Sequence, residues 1–161
     1  MRLTVASALF CLIGLAASAP SAMAKEREAV ERDGWTISAQ SDGRGACSLE
    51  QISAEGLFRY SSDGRVTVAG GTIGEIDTRR AVSLVVSIDG RTETVRATAS
   101  RVGEGYAYTF TPRRRPSFTQ GFDLAVLRAD EIVFQVPVKV AAVAYDELLD
   151  CASNPFWPEP F

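Results

Sequence analysis

From Trp35 onward the chain alternates apolar and polar residues over short runs, the two-residue period of half-buried β-strands. Trp35, Ile37 and Ala39 alternate with Thr36, Ser38 and Gln40. Asp42-Gly43 then offers a turn, and Cys47-Ser48-Leu49 reads as the returning strand. The same punctuation recurs. Asp63-Gly64 separates Leu57–Ser62 from Arg65–Gly70, and Asp89-Gly90 separates Ala81–Ile88 from Arg91–Val102, which predicts two further hairpins. Gly103-Glu104-Gly105 turns the chain into Tyr106–Thr111, where Tyr106, Tyr108 and Phe110 share one face. A meander of antiparallel strands is the expectation.

Pro112 to Pro116 interrupts that pattern. Between Ser117 and Arg128, Phe118, Phe122, Ala125 and Val126 suit one face of a short helix, while Phe122-Asp123-Leu124 also suits a strand; the helix is favoured. Glu131–Val140 returns to strand character, and Pro137 within it points to an edge position or a bulge. Ala141 to Cys151 reads as a helix whose stripe is Val143, Leu148, Cys151 and the flanking alanines. Three prolines in residues 154–161 forbid its continuation. The fold class expected is α+β: mainly antiparallel β-sheet, as a sandwich or partial barrel, with a C-terminal helix.

The N-terminal residues follow a different rule. Arg2, the apolar run Leu3–Ala17 and the small-x-small triplet Ala22-Met23-Ala24 form a secretory signal peptide over residues 1–24, with cleavage after Ala24. Residues 25–33 are expected as a charged, mobile or frayed-helical lead-in, residues 34–153 as a single β-rich domain, and residues 154–161 as a Pro/aromatic tail. The apolar run is shorter than the ~20 residues a membrane helix needs, so the mature form is expected to have no transmembrane segment. Cys11 lies inside the leader behind bulky Phe10, unlike a lipoprotein cysteine. Export leaves Cys47 and Cys151 as the only cysteines of the mature chain, in an oxidising compartment, and elimination pairs them.

Composition narrows the chemistry further. The 161 residues carry 17 basic and 20 acidic side chains, a formal charge of -3, and without Arg2 the balance becomes 16 against 20. A nucleic-acid binder needs a basic excess, so nucleic acid is not an expected partner. The chain contains 0 histidines, which removes Ser-His-Asp triads, Cys-His dyads and imidazole metal sites. Paired cysteines supply neither a thiolate nucleophile nor a zinc ligand. Only carboxylate catalysis is left, drawing on Asp146, Glu147 and Asp150, on Asp130-Glu131, or on Glu75 and Asp77; the favoured reading of all of them is as solvated helix and loop residues. Lys139 reads as an edge-strand charge, and Gly70-Gly71-Thr72-Ile73-Gly74 lacks the Lys-Ser/Thr of a phosphate-binding loop. No catalytic residue, metal ligand or cofactor is therefore assigned.

Two features remain for recognition. Arg113, Arg114 and Arg115, bracketed by Pro112 and Pro116, are the densest charge in the chain and suit a carboxylate- or phosphate-bearing partner: lipid phosphates, an acidic glycan or an acidic protein face. A solvated loop explains them too. Phe156, Trp157 and Phe161 are candidate partner-binding aromatics on a preorganised Pro-rich tail, or they pack back across the strands.

The signal peptide, the Gly34-Trp35-Thr36-Ile37 strand, a cysteine about a dozen residues on, and a late strand followed by an Ala-rich helix ending in Leu148-Leu149-Asp150-Cys151 resemble the invasion-associated locus B family. These are small exported proteins of α-proteobacteria. Ala39 stands where that family commonly has a cysteine after the opening tryptophan. The resemblance implies a β-rich fold and an exported location, and carries no catalytic set. The function expected is that of a periplasmic or secreted, non-catalytic module binding an envelope or host protein, a glycan or another envelope component. The alternatives are a carboxylate-based hydrolase of envelope polysaccharide and a purely structural envelope protein.

Overall fold

The computed structural model describes residues 29–39, 46–70, 76–118, 120–154 and 157. The described residues form a ten-stranded antiparallel sheet and one helix. In chain order the strands are β1 (Ala29–Arg32), β2 (Trp35–Ala39), β3 (Cys47–Ser53), β4 (Gly56–Ser61), β5 (Val66–Ala69), β6 (Val82–Ile88), β7 (Arg91–Val102), β8 (Gly105–Phe110), β9 (Phe122–Arg128) and β10 (Glu131–Val138), followed by helix α1 (Ala142–Ser153). The helix is too short to cross a membrane, and no other helix occurs among the described residues.

The sheet is open, running β1-β2-β3-β4-β5-β8-β7-β6-β9-β10. β1 to β5 are a plain meander. The next meander, β6-β7-β8, is laid down in reverse, so that β8 meets β5 through Val66↔Phe110 to Ala69↔Ala107. Strand β7 joins the halves: its residues from Arg91 to Ala97 pair with β6, and those from Thr98 to Val102 pair with β8.

Alternation fixes which face is core. Trp35, Ile37, Leu49, Phe58, Tyr60, Val68, Leu84, Val86, Tyr108, Leu124 and Val126 are buried together on one side of their strands. The outward face of β7 is polar: Thr92, Thr94, Arg96, Thr98 and Ser100 are all exposed. Burying the apolar set is the dominant favourable term, at about 25 cal/mol for each Å² of apolar surface removed from water. At Gly56 a side chain would collide with the Ala69 carbonyl oxygen, 2.0 Å from the position of its Cβ, so only glycine lets β4 leave its turn beside β5.

Helix α1 packs on β1, β2 and β3. Its buried stripe is Ala144, Leu148 and Cys151, spaced four and three apart. Val143, expected in that stripe, is 47% exposed, because it lies about 100° around the helix from Ala144. The Cys47–Cys151 disulfide joins α1 to β3 with Cα atoms 6.0 Å apart. Cys47 is also held from its backbone: its N–H donates to Ser62 Oγ at 3.0 Å, and its carbonyl accepts the Ser62 N–H at 2.8 Å.

Other expectations need correction. Ala29–Arg32, within the stretch expected to be a mobile or frayed-helical lead-in, is strand β1, paired with β2 from Ala29↔Ser38 to Arg32↔Trp35. An edge strand needs only one partner and one half-buried face, and Val30 supplies the apolar contact. The helix favoured between Ser117 and Arg128 is instead a loop followed by β9, in which Phe122, Leu124 and Val126 are buried at alternate positions. Pro137 does lie on an edge: among the described residues β10 pairs only with β9, and its bulge falls separately, between Ile132 and Phe134. The Asp42-Gly43 turn and Gly71 to Gly74 lie outside the described residues.

Candidate functional site

The arginine triplet occupies the connection from β8 to β9, and its ends are fixed by burial. Pro112 is buried before it, and Phe118 is 3% exposed after it. The Phe118 ring lies 4.4 Å from Tyr60, 5.5 Å from Phe122 and 5.4 Å from Tyr145 of α1, the last pair stacked at 24°. Pro116 restricts the backbone between those anchors. Arg113, Arg114 and Arg115 thereby stand exposed on a short segment held at both ends.

A second element faces them, the β6–β7 hairpin. The Arg113 N–H donates to both Glu93 carboxylate oxygens, at 3.1 and 3.4 Å. At the hairpin tip the Asp89 N–H donates to the Asp123 carbonyl at 3.0 Å, and the Asp123 N–H donates to Asp89 Oδ1 at 3.1 Å. Asp89 adopts φ 51° and Gly90 φ 73°, the left-handed pair that a two-residue hairpin turn requires. Glu93 thus ties the hairpin to the arginine segment, and Asp89 ties the hairpin tip to the start of β9.

Between them lies a groove of about 700 Å³. Arg91, Arg113, Arg114 and Arg115 line it, with Thr92 and Ser117 hydroxyls and the two carboxylates. Among the described residues none of these four guanidinium groups pairs with a carboxylate. Other arginines do pair: Arg32 with Glu147, Arg59 with Glu50, Arg65 with Asp63 and Arg80 with Asp77. Arg115 reaches towards the β4–β5 turn, its guanidinium 3.9 Å from where a side chain on Gly64 would begin. Burial pushes the Tyr60 phenol above its ordinary value, and the nearby Arg115 charge opposes part of that rise. A second groove, of about 520 Å³, shares Arg113 and adds Ser83, Thr94, Arg96 and Thr111.

The remaining candidates fall elsewhere. Trp157 is 6% exposed, part of the core cluster, and its Nε1–H donates to Glu147 Oε1 at 2.6 Å. It is packed back against the domain, the second of the two readings the sequence allowed, and offers no exposed ring. Phe156 and Phe161 lie outside the described residues. Glu147 also accepts from Arg32 Nε at 3.0 Å, so this acid ties β1, α1 and Trp157 together. Asp146 and Asp150 are exposed on α1, and Asp130-Glu131 sit at the β9–β10 turn. Asp77 pairs with Arg80 at 3.5 Å, and Glu75 lies outside the described residues.

The sequence reading missed Arg91, Asp89 and Glu93, twenty or more positions from the triplet. Their signal was indirect: a hairpin turn at Asp89-Gly90 and a β8 that must return beside β7. No protein family, curated protein or solved structure matches this chain.

Proposed function

We propose that this chain is an exported, non-catalytic envelope protein, related in outline to the invasion-associated locus B family, that binds an anionic partner in the groove between the β6–β7 hairpin and Arg113–Arg115. One observation carries the reading: four exposed arginines line one groove without a carboxylate partner among the described residues. Like charges are brought together at a cost, and an incoming carboxylate or phosphate offsets it with charge-assisted, bidentate hydrogen bonds. The segment is anchored at Pro112, Phe118 and the Arg113 N–H, so little chain order is lost on binding. The sheet is read as curling into a partial barrel, supported by the approach of β10 to β5, where a side chain on Gly70 would meet the Val133 carbonyl at 3.2 Å.

A hydrolase reading would draw on Asp89 and Glu93, the two acids of the groove. Both already accept backbone N–H groups, which is the work of loop anchors. The test is calorimetric titration of the oxidised protein with pyrophosphate at low salt. Binding that falls at least about tenfold in the Arg113→Ala/Arg114→Ala/Arg115→Ala variant supports the groove. Equal binding by that variant, with its thermal midpoint retained, refutes it.

A further inference from the structure

We propose that the occupant of this site is a linear acidic polysaccharide, laid along β7 through both grooves; the inference rests on the anion-binding reading above and names its ligand. The two grooves share Arg113. They are also joined by the outward face of β7, because Thr92 lines the first groove, Thr94 and Arg96 line the second, and all three are exposed at alternate positions. Four residue steps from Thr92 to Arg96 cover about 13 Å of strand. A single phosphate or carboxylate cannot bridge that distance, whereas a chain with an anionic group on successive units meets Arg114 and Arg115 at one end, Arg113 at the shared rim and Arg96 at the other.

The groups between the arginines narrow the class. Thr92, Ser117, Ser83, Thr94 and Thr111 place hydroxyls along both grooves, donors and acceptors matched to a polyol. No aromatic ring lines either groove among the described residues, so the stacking platform of single-stranded nucleic acid binding is missing there. A protein partner would need a desolvated apolar or aromatic anchor at the centre of the contact; the apolar side chains here are Ile88, Pro116 and Val95, the last of which is buried. Arginine forks separated by hydroxyls suit a carboxylated sugar chain best.

The experiment titrates the oxidised protein with galacturonate monomer, oligogalacturonates of two to ten units, uncharged dextran, oligo-dT and pyrophosphate. Affinity should rise with oligogalacturonate length until both grooves are filled, dextran should not bind, and Arg96→Ala should lower affinity for the longest oligomer by about fivefold, flattening the length dependence. Conservative Arg96→Lys should recover part of the loss, since charge is kept and the planar fork is not. Pyrophosphate binding without any length dependence overturns the polysaccharide and leaves the anion groove standing. Oligo-dT bound more tightly than the longest oligogalacturonate overturns the ligand class. Failure of every anionic probe overturns both readings.

Discussion

Removing the Cys47–Cys151 bridge should cost the domain a large fraction of its stability. The cysteines are separated by 104 positions, so the bridge closes a loop spanning nearly all of the sheet. In the chain-entropy treatment such a closure removes about 16 cal/mol/K from the unfolded ensemble, or about 4.7 kcal/mol at 25 °C. Both sites are buried, Cys47 at 2% and Cys151 at 6% exposure, so Cys47→Ala/Cys151→Ala also loses sulfur packing, which adds to the loss. Serine would be a poorer probe, since it brings hydroxyls into an apolar site. Against a total of about 5–15 kcal/mol for an ordinary domain, the double alanine variant should be marginal. Urea unfolding followed by tryptophan fluorescence measures the difference, Trp35 and Trp157 both being buried reporters. With a slope of about 1.5–2 kcal/mol/M, the midpoint should fall by about 2–3 M. A loss below about 1 kcal/mol would refute the reasoning, because it would mean the unfolded chain is not constrained by the bridge.

The β9–β10 turn places Ala129 at φ 48° and Asp130 at φ 67°, a type I′ geometry for which alanine is poorly suited. Replacing the pair by Asn-Gly should raise stability by about 1 kcal/mol, read from the urea midpoint, and an unchanged or lower midpoint counts against the turn assignment. Burial raises the pKa of Tyr60 and of Tyr108 above the ordinary 10.0. Each phenol therefore stays protonated in the folded state where the unfolded chain would ionise it; its contribution is complete below the unfolded value and is lost as pH climbs through the folded one. Tyr60→Phe/Tyr108→Phe should accordingly unfold less steeply than the parent above about pH 10, and superimposable pH–stability curves would contradict the burial argument. Finally, the Cys47→Ala/Cys151→Ala variant, studied at a temperature where it remains folded, should bind pyrophosphate more weakly than the parent in the same calorimetric titration; equal affinity would show that the arginine segment is positioned independently of α1.

Legibility differed between elements for identifiable reasons. Hairpins at Asp63-Gly64 and Asp89-Gly90 were readable because a short-range turn signal sits between two alternating runs, and both facts are local. β9 was misread because Phe118, Phe122, Ala125 and Val126 fit a helical face as sequence. Only tertiary packing separates them: Phe118 belongs to a loop beside Tyr60, and Gly121, at φ 76°, breaks the chain before Phe122. β1 was hidden under charge. Its Asp33-Gly34 turn, at φ 48° and 78°, was visible in principle, yet the run before it looked too polar to fold. On an edge strand those charges have places to go, and Arg32 goes to Glu147. The arginine triplet was evident from composition alone, whereas its partners Arg91, Asp89 and Glu93 needed the reversed β6-β7-β8 meander to bring them near.

The bridge and the arginine segment belong to one mechanical chain. Cys151 and Tyr145 lie six residues apart on α1, Cys151 bonded to β3 and Tyr145 stacked on Phe118. Phe118 in turn closes the segment that carries the three arginines, and it touches Tyr60, a neighbour of Arg115. Glu147 adds a second tether, joining α1 to β1 through Arg32 and to Trp157 through its indole. An exposed run of like charges gains most by spreading apart, and the Arg113 N–H bond to Glu93 together with the two end anchors opposes that. One anchor, Pro112, is set by the sheet itself at the end of β8. The other, Phe118, has one of its aromatic neighbours on α1, the element that the disulfide secures. Oxidation of the two cysteines therefore does more than stabilise the core: by fixing α1 it holds one wall of the Phe118 pocket, and through Phe118 it restrains the end of the arginine segment.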